Sequence, residues 1–341
     1  VHGQIKIIHH TLTAGSVEKI DGQVDGTAAL RSPGSALKPF IYALALDQGL
    51  IHPRTMLKDV PKNYGLYTPE NFDSSFYGLV NATQALVYSR NIPAVDLLLR
   101  LEENSFYQML EKAGVKKLKT PGYYGLALAL GGAEVSAQDL AALYAMLGNG
   151  GKFRPLRWRK DEPQLPETAM LSPEAAFLTL DMLSYNAPVD RRRLPFAKRS
   201  GTPYKVYWKT GTSYGYKDAW AAGLFGDFVL VVWVGNFDGT PNPAFTGREA
   251  AAPLFFRLVR QIAAGRGIAG DSIRPDGLNL SQADICAATG DLADAYCPQT
   301  VKSYFIPGVT RIKLSGVSRR IPIEVASGLR ACRHTPPSTR L

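Results

Sequence analysis

The sequence lacks any uninterrupted apolar stretch of the roughly 18–20 residues that a membrane-spanning helix needs. Apolar residues nevertheless make up 45% of its 341 residues and charged residues 20%, as in ordinary globular proteins. This composition argues against a disordered chain, except near the ends. Because the sequence begins with Val1, we expect it to be processed or cut from a longer protein, with any signal peptide or anchor upstream.

Cysteine is scarce, with only Cys286, Cys297 and Cys332 present. No CxxC pair occurs and no His/Cys spacing suits zinc, so the sequence implies neither a metal nor a cofactor. Cys286 and Cys297 would close a short loop, and a disulfide between them is a hypothesis that requires an oxidising compartment. The odd third thiol leaves the pairing open.

An acidic excess is also absent, since 39 Lys and Arg residues outnumber 29 Asp and Glu residues and give a net charge of +10. A positive surface keeps a domain soluble, and it also suits work beside a membrane face or an acidic polymer. The basic residues are scattered except at 191–193 and 198–199, and no aromatic-interleaved motif accompanies them. We therefore exclude nucleic acid as a partner.

The hydrophobic pattern predicts a mostly helical first half, an antiparallel sheet, and a helix that returns onto that sheet. Cap-like starts at Ser136 and Ser172 mark two of the helices. The segments VYWKTGTS, DAWAAGLF and DFVLVVWVG are typical of strands joined by short turns. We expect an α/β protein of the α+β type, with an extended lead-in over 1–30, a main domain over 31–270 and a turn-rich extension over 271–341.

Three short motifs carry chemistry. Lys209-Thr210-Gly211 lies on a predicted strand, where the glycine lets a ligand approach the backbone and the lysine and hydroxyls can grip a carboxylate. Ser35-Ala36-Leu37-Lys38 opens an apolar helix on which residues three apart share a face. A buried Lys38 that loses its proton could then activate the Ser35 hydroxyl, although Ser35 could also be a simple N-cap.

A third motif, Ser89-Arg90-Asn91, lies between two predicted helices, where its hydroxyl could relay a proton and its amide could hold a peptide group. Its alternative reading is a plain helix–helix connection. The sequence contains a second Ser-x-x-Lys match at 16–19, in a turn-rich region, and a second Ser-x-Asn match at 184–186, which is typical of a helix end.

The order SxxK, SxN, KTG is a known signature of penicillin-binding proteins and related β-lactamases. The segments RSPGSALKPFIYAL, YTPENFDSSFYGLVNATQALVYSRNIPAV and WKTGTSYGYKDAWAAG resemble those of class A penicillin-binding proteins. The resemblance implies a serine transpeptidase/β-lactamase-like fold, with an antiparallel sheet flanked by helices and a helical subdomain. It also implies a peptidoglycan D,D-transpeptidase that cross-links D-Ala-D-Ala stem peptides, is acylated by β-lactams and uses no cofactor.

The same resemblance implies roles for individual residues. Ser35 would be the acylated nucleophile and Lys38 its base, with Ser89 relaying protons to the leaving group. Asn91 would bind the donor peptide, and Lys209, Thr210 and Thr212 would hold its terminal carboxylate. The whole expected set is the catalytic residues Ser35, Lys38, Ser89 and Lys209 and the substrate-binding residues Asn91, Thr210, Gly211 and Thr212, with the backbone N–H groups of Ser35 and Thr212 as oxyanion hole.

Class A members carry a glycosyltransferase domain ahead of this region, and this sequence has none. We expect a bifunctional, membrane-anchored parent at the periplasmic face of the inner membrane, with partners from a cell-wall synthesis complex. Alternatives are a D,D-carboxypeptidase, a β-lactamase-type hydrolase, or a non-catalytic muropeptide or β-lactam sensor. No glutamate is followed by the Glu-x-x-Leu-Asn pattern of a deacylating β-lactamase, which favours a long-lived acyl-enzyme.

Overall fold

A computed structural model describes residues 25–65, 67–103, 105–159, 161–187, 204–268, 270, 273, 276–317, 321–327 and 329–330, and the backbone of residues 6–7. The Ser-x-x-Lys match at 16–19, the basic residues at 191–199, most of the 1–30 lead-in and Cys332 lie outside the described residues. No helix in the described part of the chain is long and apolar enough to cross a membrane.

The central sheet contains the three strands that the sequence predicts. Strands β6 (Val206–Thr212), β7 (Asp218–Phe225) and β8 (Phe228–Gly235) form an antiparallel meander, with Gly211 paired with Trp220. Strand β1 (Lys6–Ile7) adds to β8 in parallel. The prediction of an antiparallel sheet is confirmed for β6–β8.

Helices cover both faces of this sheet. Helices α6 (Ala137–Gly148) and α7 (Pro173–Ser184) pack on one face, and α8 (Ala252–Arg266), preceded by a π-helical turn over Gly247–Ala251, packs on the other. Successive residues of β6 point to opposite layers: Tyr207 joins the α6/α7 core, whereas Trp208 stacks on Phe255 of α8 and meets Phe256 edge to face. The mixed fold of helices around an antiparallel sheet is the one expected.

Helix α1 (Lys38–Asp47) lies inside the helical layer, with every residue from Lys38 to Leu46 buried. A helix that is apolar all round belongs in a core, and here α1 packs against α7 and α3 (Asn91–Arg100). The remaining helices are α2 (Ala82–Val87), α4 (Ser105–Lys112) and α5 (Pro121–Tyr124), with 3₁₀ turns over Gly26–Ala28, Gly34–Leu37 and Gly125–Leu130.

Small hairpins that the sequence analysis did not predict complete the structure. They pair β2 (Met56–Asp59) with β3 (Gly78–Asn81), β4 (Lys152–Phe153) with β5 (Thr168–Ala169), and β9 (Ser281–Cys286) with β10 (Thr300–Phe305). Cys286 and Cys297 form a disulfide with their Cα atoms 5.7 Å apart.

The β9–β10 hairpin packs on the loop that follows α1. Buried His52 of that loop donates from Nε2 to Gly290 O at 2.9 Å, and its Nδ1 lies 3.2 Å from Ser303 Oγ. Gly290, at φ +71°, lies so close to residues 54 and 56 that a Cβ atom there would be 2.6 Å from Arg54 O. The C-terminal hairpin therefore docks directly on the segment that leads into β2.

Candidate active site

Ser35 lies in the 3₁₀ turn that opens into α1, and two hydrogen bonds from distant parts of the chain hold this turn. Tyr144 on α6 donates to Ala36 O at 2.9 Å, and Trp220 on β7 donates to Ser32 O at 2.9 Å. The N-cap of the turn is Pro33 and that of α1 is Leu37. Ser35 is therefore not an N-cap, and the simple capping interpretation is wrong.

Glycines let the Ser35 turn lie directly against β6. A Cβ atom on Gly211 would lie 2.1 Å from Pro33 O, and one on Gly34, which has φ +52°, would lie 2.2 Å from Thr212 O. The glycine of the Lys-Thr-Gly motif is thus required by the contact between β6 and the Ser35 turn. Larger side chains at either position would separate Ser35 from the strand that carries Lys209.

Lys38 is fully buried at the start of α1, and it connects the Ser35 turn to the Ser-x-Asn segment. Its Nζ donates to Ser89 O at 2.7 Å, to Arg90 O at 3.2 Å and to Asn91 Oδ1 at 2.5 Å. Burial, with added repulsion from Lys209 and Arg90, lowers the pKa of Lys38 well below its ordinary value. A lysine held in this way can exist as the neutral amine that a general base requires.

Lys209 on β6 is also fully buried and contacts the same segment from the opposite side. Its Nζ donates to Ser89 Oγ at 2.7 Å and to Thr210 O at 3.0 Å. Burial and, secondarily, repulsion from Arg248 lower the pKa of Lys209 to about 7. Near neutral pH this lysine is therefore poised between its two protonation states.

Ser89 lies between the two lysines in a backbone conformation that serine rarely adopts, with φ +61°. Such a left-handed conformation is unfavourable for a residue with a side chain, and it persists only where the surroundings impose it. Here it places the Ser89 carbonyl against Lys38 and the Ser89 hydroxyl against Lys209. The reading of 89–91 as a plain helix connection does not account for this arrangement.

Arg90, the central residue of Ser-x-Asn, points away from the lysines into a cluster of acidic groups. Its Nε donates to Asp59 Oδ2 at 2.7 Å, its Nη1 pairs with Asp73 at 2.9 Å, and its guanidinium stacks on the Tyr77 ring 4.1 Å from the centroid. Burial opposes the charge, but hydrogen bonds and charge from Asp73 and Asp59 more than offset it and raise the pKa of Arg90. Arg90 is therefore a structural cation that holds the segment in place.

The loop before β3 completes the support of Asn91. Asn71 Oδ1 accepts a hydrogen bond from Asn91 N at 2.7 Å, and Glu70 O accepts one from Asn91 Nδ2 at 2.5 Å. Asn71 also donates to the buried carboxylate of Asp59 at 2.7 Å. The Asn91 side chain is thus held between Lys38 and this loop.

The far end of β6 carries the two threonines of the expected carboxylate site. Thr212 Oγ1 accepts a hydrogen bond from Gly247 N at 2.9 Å, which leaves its hydroxyl proton free to be donated to a ligand. A Cβ atom on Gly247 would lie 2.4 Å from Gly211 O, so the π-helical turn packs directly on the motif. The exposed residue that follows, Arg248, is near enough to lower the pKa of Lys209 and was missed by the sequence analysis.

The structure brings the expected site residues onto two facing walls. One wall is the Ser89–Asn91 segment, and the other is β6 with the Ser35 turn packed against it; Lys38 and Lys209 bridge the two. The other Ser-x-Asn match is structural, since Asn186 O accepts a hydrogen bond from Trp208 Nε1 at 2.9 Å beyond the end of α7. Among the described residues, no group of three or more His, Cys, Asp and Glu residues could hold a metal ion.

Family models match most of the chain. The penicillin-binding protein transpeptidase domain covers residues 23–259, and the C-terminal domain of penicillin-binding protein 1A covers residues 275–310. The chain is 36% identical over 302 residues to penicillin-binding protein 1C of Escherichia coli, and the expected resemblance to penicillin-binding proteins is confirmed. It is also 28% identical to penicillin-binding protein 1A of Neisseria lactamica over 74% of the chain.

The alignment with the Escherichia coli protein covers 86% of this chain but 38% of that protein, and the Neisseria alignment covers 34% of its relative.

Solved structures share the fold. Penicillin-binding protein 1A of Haemophilus influenzae matches 85% of the chain and 50% of its own, with a TM-score of 0.70 and 23% identity. PonA1 of Mycobacterium tuberculosis, in complex with penicillin V, matches over 74% of this chain and 73% of the PonA1 chain, with a TM-score of 0.59 and 19% identity. The chain belongs to the penicillin-binding protein transpeptidase family.

Proposed function

We propose that this domain is a serine-type D,D-transpeptidase that cross-links peptidoglycan stem peptides through an acyl-enzyme on Ser35. The observation that carries the proposal is the pair of buried lysines, Lys38 and Lys209, joined through Ser89 beside the Ser35 turn. Among the described residues neither lysine forms an ion pair with a carboxylate. Buried amines without such partners release protons easily, which is what acid–base work at neutral pH needs.

In the acylation step, the Ser35 hydroxyl oxygen attacks the carbonyl carbon between the two D-alanines. Neutral Lys38 takes the hydroxyl proton, and the negative charge that develops on the carbonyl oxygen is stabilised by the backbone N–H groups of Ser35 and Thr212. The C–N bond then breaks, and the departing D-alanine nitrogen receives a proton from Ser89. Lys209, which donates to Ser89 Oγ at 2.7 Å, replaces that proton.

The donor peptide would lie between the two walls. The amide of Asn91, held by Lys38 and Glu70, is placed to bind a peptide group of the donor. The hydroxyls of Thr210 and Thr212 and the ammonium of Lys209 would bind the terminal carboxylate, with Arg248 adding positive charge. The amine of a second stem peptide then attacks the ester carbonyl and frees Ser35.

The chain lacks the Glu-x-x-Leu-Asn pattern of a deacylating glutamate, which favours a long-lived acyl-enzyme over a β-lactamase-type hydrolase. We further propose that the catalytic domain spans 31–270, with 1–30 as a lead-in and 271–341 as an extension. For the parent protein we propose membrane anchoring at the periplasmic face, a glycosyltransferase domain, and partners in cell-wall synthesis.

The experiment is to incubate the protein with a D-Ala-D-Ala-mimicking thioester donor and to add a D-amino acid as acceptor at increasing concentration. A transpeptidase should give an aminolysis product that grows with acceptor concentration at the expense of hydrolysis, and Ser35→Ala should give neither product. Hydrolysis alone at every acceptor concentration would identify a carboxypeptidase-type hydrolase, and stable acylation without any turnover would identify a sensor.

A further inference from the structure

Two exposed aromatic rings meet at the edge of the candidate active site. Phe72 and Tyr216 make an edge-to-face contact with their ring centroids 5.9 Å apart and their planes at 70°. Phe72 is 65% exposed and Tyr216 is 38% exposed, so both rings reach the protein surface. The residues lie 144 positions apart in sequence, and neither ring belongs to the hydrophobic core.

The two rings belong to opposite walls of the cleft. Phe72 follows Asn71 and Glu70, which hold the backbone and side chain of Asn91. Tyr216 lies in the turn between β6 and β7, four residues after Thr212, and Asn242 N donates to its carbonyl at 3.0 Å. The walls are thus joined twice, by Lys209 and Ser89 on the inside and by Phe72 and Tyr216 on the outside.

We propose that Phe72 and Tyr216 form an aromatic gate across the mouth of the cleft, and that this gate selects acyl donors by the size of the side chain that must pass between the walls. The inference rests on the proposed acylation of Ser35 for its substrates. The gate determines specificity and takes no part in the chemistry.

The geometry explains why such a gate can open. A single exposed ring pair is a weak contact, so its disruption should change access by about 2- to 10-fold. The backbone behind each ring is held by its own hydrogen bond. Asn71, next to Phe72, is bonded to Asn91 N, and the Tyr216 carbonyl is bonded to Asn242 N. The rings can therefore separate while Ser35, Lys38 and Lys209 stay in place.

The first experiment compares second-order acylation rate constants for 6-aminopenicillanic acid, which has no acyl side chain, and for piperacillin, which has a bulky one. In Phe72→Ala and in Tyr216→Ala the ratio of the piperacillin to the 6-aminopenicillanic acid constant should rise by about 2- to 10-fold. The double variant should gain no more than either single variant, because loss of either ring removes the contact. Tyr214→Ala, which truncates a fully exposed ring on the same turn, is the matched control and should leave the ratio unchanged.

A second experiment keeps the gate testable apart from acylation by penicillins. In a Ser35→Cys, Cys332→Ser background, the reaction rates of the new thiol with methyl methanethiosulfonate and with the much larger fluorescein-5-maleimide are compared. Gate variants should accelerate the large reagent relative to the small one, and this would hold even if no penicillin acylated the wild type. Unchanged ratios in both experiments, or a fall in the piperacillin ratio, would overturn the gate.

Discussion

Ser89 and Arg90 are neighbours in sequence, but they belong to two clusters that hold buried cations in opposite ways. Ser89 contacts two buried lysines, whereas Arg90 is itself the buried cation of the other cluster. Lys38 and Lys209 are buried without a carboxylate partner among the described residues, and their hydrogen bonds go to neutral oxygens around Ser89. Arg90 is buried against two carboxylates, those of Asp59 and Asp73. The pKa falls for both lysines and rises for the arginine.

The difference shows how one segment serves both chemistry and stability. Burial without a carboxylate partner destabilises the charged form of a lysine, so Lys38 and Lys209 can gain and lose protons. Paired burial fixes the charge of Arg90, and the resulting ion cluster ties the segment to β2 and to the loop that carries Asp73. Variants of Lys38, Arg90, Lys209 and Ser89 distinguish these two kinds of buried cation.

Replacing the amine of Lys38 should have the largest effect on chemistry. In Lys38→Met a side chain of similar length stays in the core but cannot accept the Ser35 proton, so the acylation rate constant for benzylpenicillin should fall by about 10²- to 10⁴-fold. Stopped-flow or gel measurement with a fluorescent penicillin gives the rate. Lys58→Met, which removes an exposed lysine on β2, is the control, and near-normal acylation in Lys38→Met would rule out Lys38 as the base.

The same replacement at Arg90 should act on stability. Arg90→Met leaves the fully buried carboxylate of Asp59 without its cationic partner, and the free energy of unfolding should fall by about 3–5 kcal/mol. Urea unfolding followed by circular dichroism measures the loss, with the exposed Arg159→Met variant as an unaffected control. A variant as stable as the wild type would show that the ion cluster does not support the segment.

The pKa of Lys209, about 7, predicts how stability depends on pH. Between about 7 and the ordinary value of 10.5, the unfolded chain binds a proton that the folded protein has lost, so the free energy of unfolding rises as pH increases. The slope due to this group approaches about 1.4 kcal/mol per pH unit. Lys209→Met should show a smaller rise across this range, and an identical pH profile would mean that Lys209 keeps its proton when buried.

Two variants of Ser89 separate the effect of its backbone strain on stability from the effect of its hydroxyl on acylation. Their expected difference in stability is the smallest of the four effects. Ser89→Ala keeps a side chain at φ +61°, whereas Ser89→Gly removes the steric penalty. Both variants lose the hydrogen bond to Lys209, so the glycine variant should be more stable than the alanine variant by about 1 kcal/mol while both acylate poorly. Equal stabilities in thermal unfolding would indicate that the left-handed conformation is not strained here.

The sequence was informative where the chemistry is local. Ser35 with Lys38, and Lys209 with Thr210 and Gly211, form motifs within four residues, and the structure places these motifs together. The partners of Arg90 were not predictable, because Asp59 and Asp73 lie 31 and 17 residues away and become neighbours only through the β2–β3 hairpin.

Backbone effects were also hidden in the sequence. The left-handed conformation of Ser89 goes together with hydrogen bonds from Lys38 to its carbonyl and from Lys209 to its hydroxyl, and no local propensity reveals these partners. The role of Gly211 was only partly anticipated, since the contact that excludes a side chain there comes from Pro33, almost 180 residues earlier. Helix caps and strands of the central sheet were predicted well because their signals are local and strongly periodic.

In the proposed mechanism Ser35 is the acylated nucleophile, and intact mass spectrometry after incubation with benzylpenicillin shows whether it is. The wild type should gain the mass of one benzylpenicillin and keep it over the course of the measurement, and Ser35→Ala should gain none. A stable adduct on the Ser35→Ala protein would contradict the assignment. Rapid destruction of the drug by the wild type, with no adduct, would contradict the long-lived acyl-enzyme.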